Sequence, residues 1–203
     1  MSYIGYVPAA KPLTSADITD SVVTSAKIVD GTIAIADLSA TGTPSSTTFL
    51  RGDNTWGSAG ATAGQVIQVV SATDSTERST TSSTFVTASN TLSVTITPSS
   101  TSNKIFLIFN GFVGNTSANA SESFATIFRG ATDLGAASNK GLTMHNVGSS
   151  DPSPNMGGMS YLDSPSTTSA TTYQVYIRQS TSGTVKLNFS GTKGSLTAFE
   201  VKG

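Results

Sequence analysis

Cysteine is absent from the 203 residues, which excludes disulfides and thiolate metal sites; stability has to come from packing and association. Charge is scarce as well. Charged residues make up 11% of the chain, less than half of the usual share of about a quarter. With a formal net charge of -1 and no run of Lys or Arg, the chain has no basic field to steer it toward phosphate, so nucleic-acid binding is not expected. Long apolar runs are missing too. The longest, residues 105–109, falls far short of the roughly 20 residues that a membrane helix needs, and no membrane insertion is expected. Residues 1–11 lack the basic start and apolar core of a signal peptide, which predicts a soluble product not secreted by the ordinary route. Histidine occurs once, at His145. That removes any histidine-rich metal site or histidine pair, and no Gly-x-Ser-x-Gly elbow is present to carry a Ser-His-Asp arrangement. The acids of the C-terminal part stand singly rather than in the pairs that glycan hydrolysis uses. We therefore expect no catalytic residue, no metal and no cofactor.

What fills the chain instead is Ser, Thr, Gly and β-branched aliphatics, a composition of folded β-structure rather than disorder. Residues 16–40 divide into five pentads, each centred on a branched aliphatic: Ile18, Val23, Ile28, Ile33 and Leu38. A spacing of five matches neither the 3.6 of a helix nor the 2 of a strand. A turn in each pentad would return these side chains to one side, where Ala16, Ser21, Ala26, Gly31 and Ala36 allow close approach at a shared axis. Single-chain pentad solenoids need about four pentads per turn and about three turns to bury a core. Five pentads give barely one turn, so the expectation is that three chains pack together and supply the missing partners.

Residues 41–60 shift to Gly, Ser, Thr and Pro around Phe49, Leu50 and Trp56, and read as a turn-rich collar in which Trp56 plugs the junction between the pentads and the C-terminal part. The tripeptide Arg51-Gly52-Asp53 falls inside this collar, where Gly permits a turn and Asp stabilises it; this reading is preferred to integrin-type adhesion. From Ala61 onward short apolar runs alternate with turn clusters. Strands are expected at 65–70, 85–87, 92–97, 104–112, 123–129, 156–162, 172–178, 185–189 and 196–201, most with period two, as in Leu92, Val94 and Ile96. The fold class is thus all-β: a short intertwined trimeric stalk followed by a jelly-roll-like β-sandwich head. Its parts are 1–14, 15–40 (stalk), 41–60 (collar) and 61–203 (head). Residues 105–109 are apolar on both faces, as expected of a central strand with one face on the core and the other on a neighbour. Asp163, ahead of Ser164-Pro165, reads as a turn acid capping backbone N–H groups, and Lys104 and Arg129 as strand-edge cations that form pairs or guard edges.

The sequence resembles phage tail-fibre and related virion-fibre proteins, particularly those of marine and cyanobacterial phages. The likeness is carried by the pentads, by Gly42-Thr43-Pro44-Ser45 running into Phe49-Leu50-Arg51-Gly52-Asp53-Asn54-Thr55-Trp56, and by a head signature. That signature includes Ile96-Thr97-Pro98-Ser99-Ser100, Phe128-Arg129-Gly130, Tyr161-Leu162-Asp163-Ser164-Pro165, Tyr173-Gln174-Val175-Tyr176 and Thr197-Ala198-Phe199-Glu200-Val201. The resemblance implies a homotrimer located in the virion, attached to another virion structural protein by its N-terminus and projecting its head toward the host. Tyr3, Ile4, Tyr6 and Val7, costly to leave in water, are then the docking residues. Recognition of a bacterial surface glycan or envelope component would fall to loops at 115–121, 132–140 and 144–156, with Asn115, Asn119, Asn139, His145 and Asn155 as candidate contacts. Two roles stay open. One is a receptor-binding adhesin; the other is a purely structural accessory, neck or capsid fibre.

Overall fold

In a computed structural model, residues 14, 16, 18, 20, 21, 23–58, 60–115, 121–135, 140–147, 156–180 and 182–203 are described. The chain forms two units, Met1–Gly60 and Ala61–Gly203.

Within the first unit the pentads bend by local hydrogen bonds. Single 3-10 turns at Ser25–Lys27 and Ile35–Asp37 flank a turn in which the Thr32 N–H donates to the Val29 carbonyl at 3.1 Å. Gly31 sits in that turn at φ +78°, a conformation that costs glycine nothing. Asp37 accepts the Ala34 N–H at 2.7 Å and so pins the next bend. Downstream, β1 (Thr48–Leu50) and β2 (Trp56–Ser58) form a hairpin in which Leu50 faces Trp56. Asp53 holds the hairpin tip by accepting the Thr55 hydroxyl at 2.6 Å and the Thr55 N–H at 3.2 Å, and Asn54 takes the left-handed conformation, φ +58°. Arg51-Gly52-Asp53 is thus a turn built on its own acid. Gly42 packs against this hairpin so closely that a Cβ there would lie 3.0 Å from the Trp56 carbonyl oxygen.

The second unit is a β-sandwich. Its strands are β3 (Val66–Asp74), β4 (Arg78–Thr80), β5 (Ser93–Ile96), β6 (Lys104–Asn115), β7 (Ser121–Arg129), β8 (Thr132–Asp133), β9 (Thr143–Val147), β10 (Met156–Asp163), β11 (Thr171–Gln179), β12 (Val185–Leu187) and β13 (Gly194–Val201). The first sheet runs β3-β13-β6-β10 and the second β5-β11-β7-β9, all pairs antiparallel. Numbering these eight principal strands along the chain gives the orders 1-8-3-6 and 2-7-4-5, the double Greek key of a jelly roll. Short strands extend it: β12 continues beside the end of β6 and pairs with β4, and β8 joins β7.

Alternation explains the core. Val94 and Ile96, then Ile105, Leu107 and Phe109, then Tyr173, Val175 and Ile177, then Leu196 and Ala198, point inward from four strands and are fully buried. Each large aliphatic or aromatic so buried contributes about 1.5–3 kcal/mol. The expected strand at 85–87 is not one: only Val86 makes a bridge, to Ile177, because β5 ends its pairing with β11 at Gln174 and residues 82–86 merely follow the remaining edge. Conversely β1, β2, β4, β8 and β9 have no counterpart among the expected strands. β9 has no clean alternation and is held by the free edge of β7.

Candidate functional site

Among the described residues of the head three carboxylates are buried, and each accepts hydrogen bonds from its own chain. Asp163, on β10, accepts both Arg129 Nη1 contacts at 2.9 Å and the Tyr173 hydroxyl at 2.7 Å. It caps no backbone turn, contrary to the expectation from Ser164-Pro165. Because it lies at the inner face of the first sheet while Arg129 and Tyr173 belong to β7 and β11, it clasps one sheet to the other. Burial and the bond to Asp163 together push the Tyr173 phenol far above its usual range, so it remains a donor. Glu200 receives three donors on one oxygen: the Ser99 N–H, the Ser99 hydroxyl at 2.8 Å and the Asn103 amide. Burial raises its carboxyl, but these bonds outweigh burial and hold it below the usual carboxylate range. Asp74 follows the same logic: burial is opposed by the Thr91 and Thr76 N–H groups and by Arg78, with a net lowering. All three are occupied by donors of the fold itself, which leaves none of them directed at a ligand. Among the described residues no group of three or more His, Cys, Asp or Glu gathers as a cation site, and no helix is long and apolar enough to cross a membrane.

The loop candidates scatter. Asn115 ends β6, pairs with Val185 and is 1% exposed, so its side chain is not offered to a ligand. His145 belongs by its backbone to β9, opposite Ser123, and not to a loop. Asn119, Asn139 and Asn155, like Tyr3, Ile4, Tyr6 and Val7, lie outside the described residues.

What the chain does present is apolar surface. Every pentad centre is exposed within its own unit: Ile18, Val23, Ile28, Ile33 and Leu38 range from 38% to 56%. In the hairpin Phe49 and Leu50 are exposed as well, and Trp56 is half-buried. In the head the two sheets differ. Outward side chains of the second sheet are sealed by their own chain: Phe128 stacks on Tyr176 at 4.1 Å, Phe85 meets Phe128 edge-on, and the Arg178 guanidinium lies 4.2 Å from the Phe124 ring centre. On the first sheet such cover is seen at the end of β6, where Phe112 meets Phe189 at 5.3 Å under Lys186, while the middle of the face stays open. Leu162, Phe106, Phe199 and Val69 stand in register across β10, β6, β13 and β3 on its outer face. The two-sided apolar pattern of 105–109 signalled β6; Val69, Leu162 and Phe199 carried no signal until register aligned them.

No family model matches the chain, and no curated protein matches it. Among solved structures it is similar to chains of infectious bursal disease virus. A structure of the Gt strain aligns at TM-score 0.34 with 14% identity over 67% of this chain and 38% of that one. The VP2 subviral particle of the same virus aligns at TM-score 0.33 with 17% identity over 67% and 38%. This chain therefore spans less than two-fifths of those chains, and at such identity and score the likeness carries no functional conclusion.

Proposed function

We propose that the chain is a non-enzymatic structural protein of a viral particle, a fibre in which the pentads hold three copies together and the jelly roll forms the projecting head. The observation that supports this reading is the exposure of a branched aliphatic at every pentad centre of the first unit. Such a stripe is stable in water only when other chains cover it. Phe49, Leu50 and Trp56 add to the same surface from the collar, and the N-terminal Tyr3, Ile4, Tyr6 and Val7 dock on another particle protein. The test is the mass of the full chain by light scattering. The parent is expected at three times the chain mass, and Ile28→Asp with Ile33→Asp at the mass of one chain; a monomeric parent sinks the proposal.

On this reading the head recognises a bacterial surface glycan or envelope component through the segments 132–140 and 144–156, which include β8 and most of β9. Whole-cell binding that is lost when these segments are exchanged supports recognition, and no binding to any susceptible host rejects it. One observation favours a second role, a purely structural accessory, neck or capsid fibre. Phe49, outside the head, is the sole exposed aromatic among the described residues, so the described head surface offers no stacking platform for a sugar.

A further inference from the structure

We propose that the outer face of the first sheet is the surface through which the heads of neighbouring copies of this chain pack against one another. The number of copies, three, rests on the fibre reading proposed for the chain; the face itself is a property of the head alone.

Strand register creates the face. On β10, β6, β13 and β3 many of the residues that point away from the core are small and polar, and the apolar ones centre on one row. There Leu162 pairs with Phe106, Phe106 with Phe199 and Phe199 with Val69, so an apolar band crosses all four strands. The Phe106 and Phe199 rings touch at 6.3 Å between centres, and Ile108 and Val66 widen the band on either side. Its ends are the most open: Leu162 is 49% and Val69 53% exposed. Three of these side chains, Leu162, Val69 and Val66, are open and three, Phe106, Phe199 and Ile108, are half-buried; together they expose on the order of 300–400 Å² of apolar surface, the size of the largest patch on a typical monomer, which is often functional. A standard interface covers about 800 Å² per partner, a little more than half of it apolar. The band with its polar rim meets that composition.

Charge selects a second copy as the occupant. Contact between identical faces brings like charges close to their own copies, and that is costly. Among the outward positions of these four strands the only charged side chain is Lys104, at the start of β6. The rim is neutral: Asn110, Ser160, Ser195, Thr197 and Ser71 can each donate or accept, so a copy can satisfy them. Relief is complementary as well. Where Gly158 lacks a side chain, an open hollow of about 220 Å³ lies between Ile108, Asn110 and Ser160, a recess for a protruding side chain of the next copy. Copies tethered by a stalk meet at an effective concentration in the millimolar range, so even a weak contact of this kind closes.

Because the sequence contains no cysteine, a single introduced one reports on its own position. Thr197→Cys, in the row next to the band, and Thr95→Cys, exposed on the second sheet, are each labelled with a nitroxide in the full chain. An immobile label at 197 with short inter-label distances, beside a mobile label at 95, is the expected result. Adding Leu162→Lys and Val69→Lys, both at open ends of the band, is expected to free the label at 197 while the mass stays that of three chains. If mass shows three chains but the label at 197 is as mobile as that at 95, the face is not the contact and the proposal falls, with the stalk intact. A monomeric parent overturns both. A label immobilised only in an assembled particle assigns the face to another particle protein and also overturns the proposal.

Discussion

The two outer faces of the head are built from strands of the same kind, yet one is finished by its own chain and the other is left open along its middle. On the second sheet the segment around Phe85 follows the edge of β11 and brings its ring against Phe128, while Arg178 spreads between Phe85 and Phe124. On the first sheet no described residue of the unit crosses the band from Leu162 to Val69. The difference teaches where each face obtains its stability. Rings packed within one chain stabilise the fold at any concentration, whereas an open apolar row stabilises only what meets it.

The largest expected effect is on the sealed face. Phe124→Ala removes a buried ring from beneath Arg178 and is expected to lower the unfolding free energy by about 3–5 kcal/mol in urea titration. A loss under about 0.5 kcal/mol, the level of an ordinary surface change, would erase the contrast between the faces. Next comes the clasp between the sheets. Asp163→Asn leaves Arg129 without its charged partner and is expected to cost about 3 kcal/mol, seen as a lower urea midpoint. Acid has a smaller effect. Glu200 and Asp74 bind protons less readily folded than unfolded, so on acidification the unfolded chain takes up protons first. Stability is therefore expected to be flat above about pH 5 and to fall as the pH drops through about 4 and below. Glu200→Gln keeps an acceptor for Ser99 and Asn103, costs about 1–2 kcal/mol at neutral pH and flattens that fall. A pH profile unchanged by this substitution would show that Glu200 does not drive the loss. The smallest effect belongs to the open face. Leu162→Ser in a chain already carrying Ile28→Asp and Ile33→Asp is expected to change unfolding by less than about 0.5 kcal/mol. The same change in the parent background is expected to cost more, and that excess measures the contact.

Much of the sandwich was legible because its central strands are half-buried and alternate. Leu92, Val94 and Ile96, and likewise Tyr173, Val175 and Ile177, read as inward-facing and are buried. The short edge strands were not legible. β8 is two residues long and β9 mixes Met144 with His145 and Asn146, so neither shows a period; the exposed edge of β7 supplies the hydrogen bonds that define them. Residues 85–87 resemble a strand because Phe85 and Val86 are apolar, but Phe85 serves the outer face of the second sheet. Asp163 misleads for a related reason. Its neighbours in sequence, Ser164 and Pro165, describe a turn, while its partners, Arg129 and Tyr173, lie 34 and 10 residues away. The burial of Asn115 was not legible because polarity alone does not distinguish a solvated amide from one enclosed at the end of β6.

The amino-acid sequence by itself determined the absence of disulfides, the all-β class and the inward residues of the long strands. All of these depend on residue type and on spacing within a few positions, which local geometry converts directly into a face. Only the tertiary structure decided the strand order 1-8-3-6 and 2-7-4-5, the Asp163 clasp and the band from Leu162 to Val69. Those features join residues as much as 130 positions apart through register, and register is set by how all the strands pack at once.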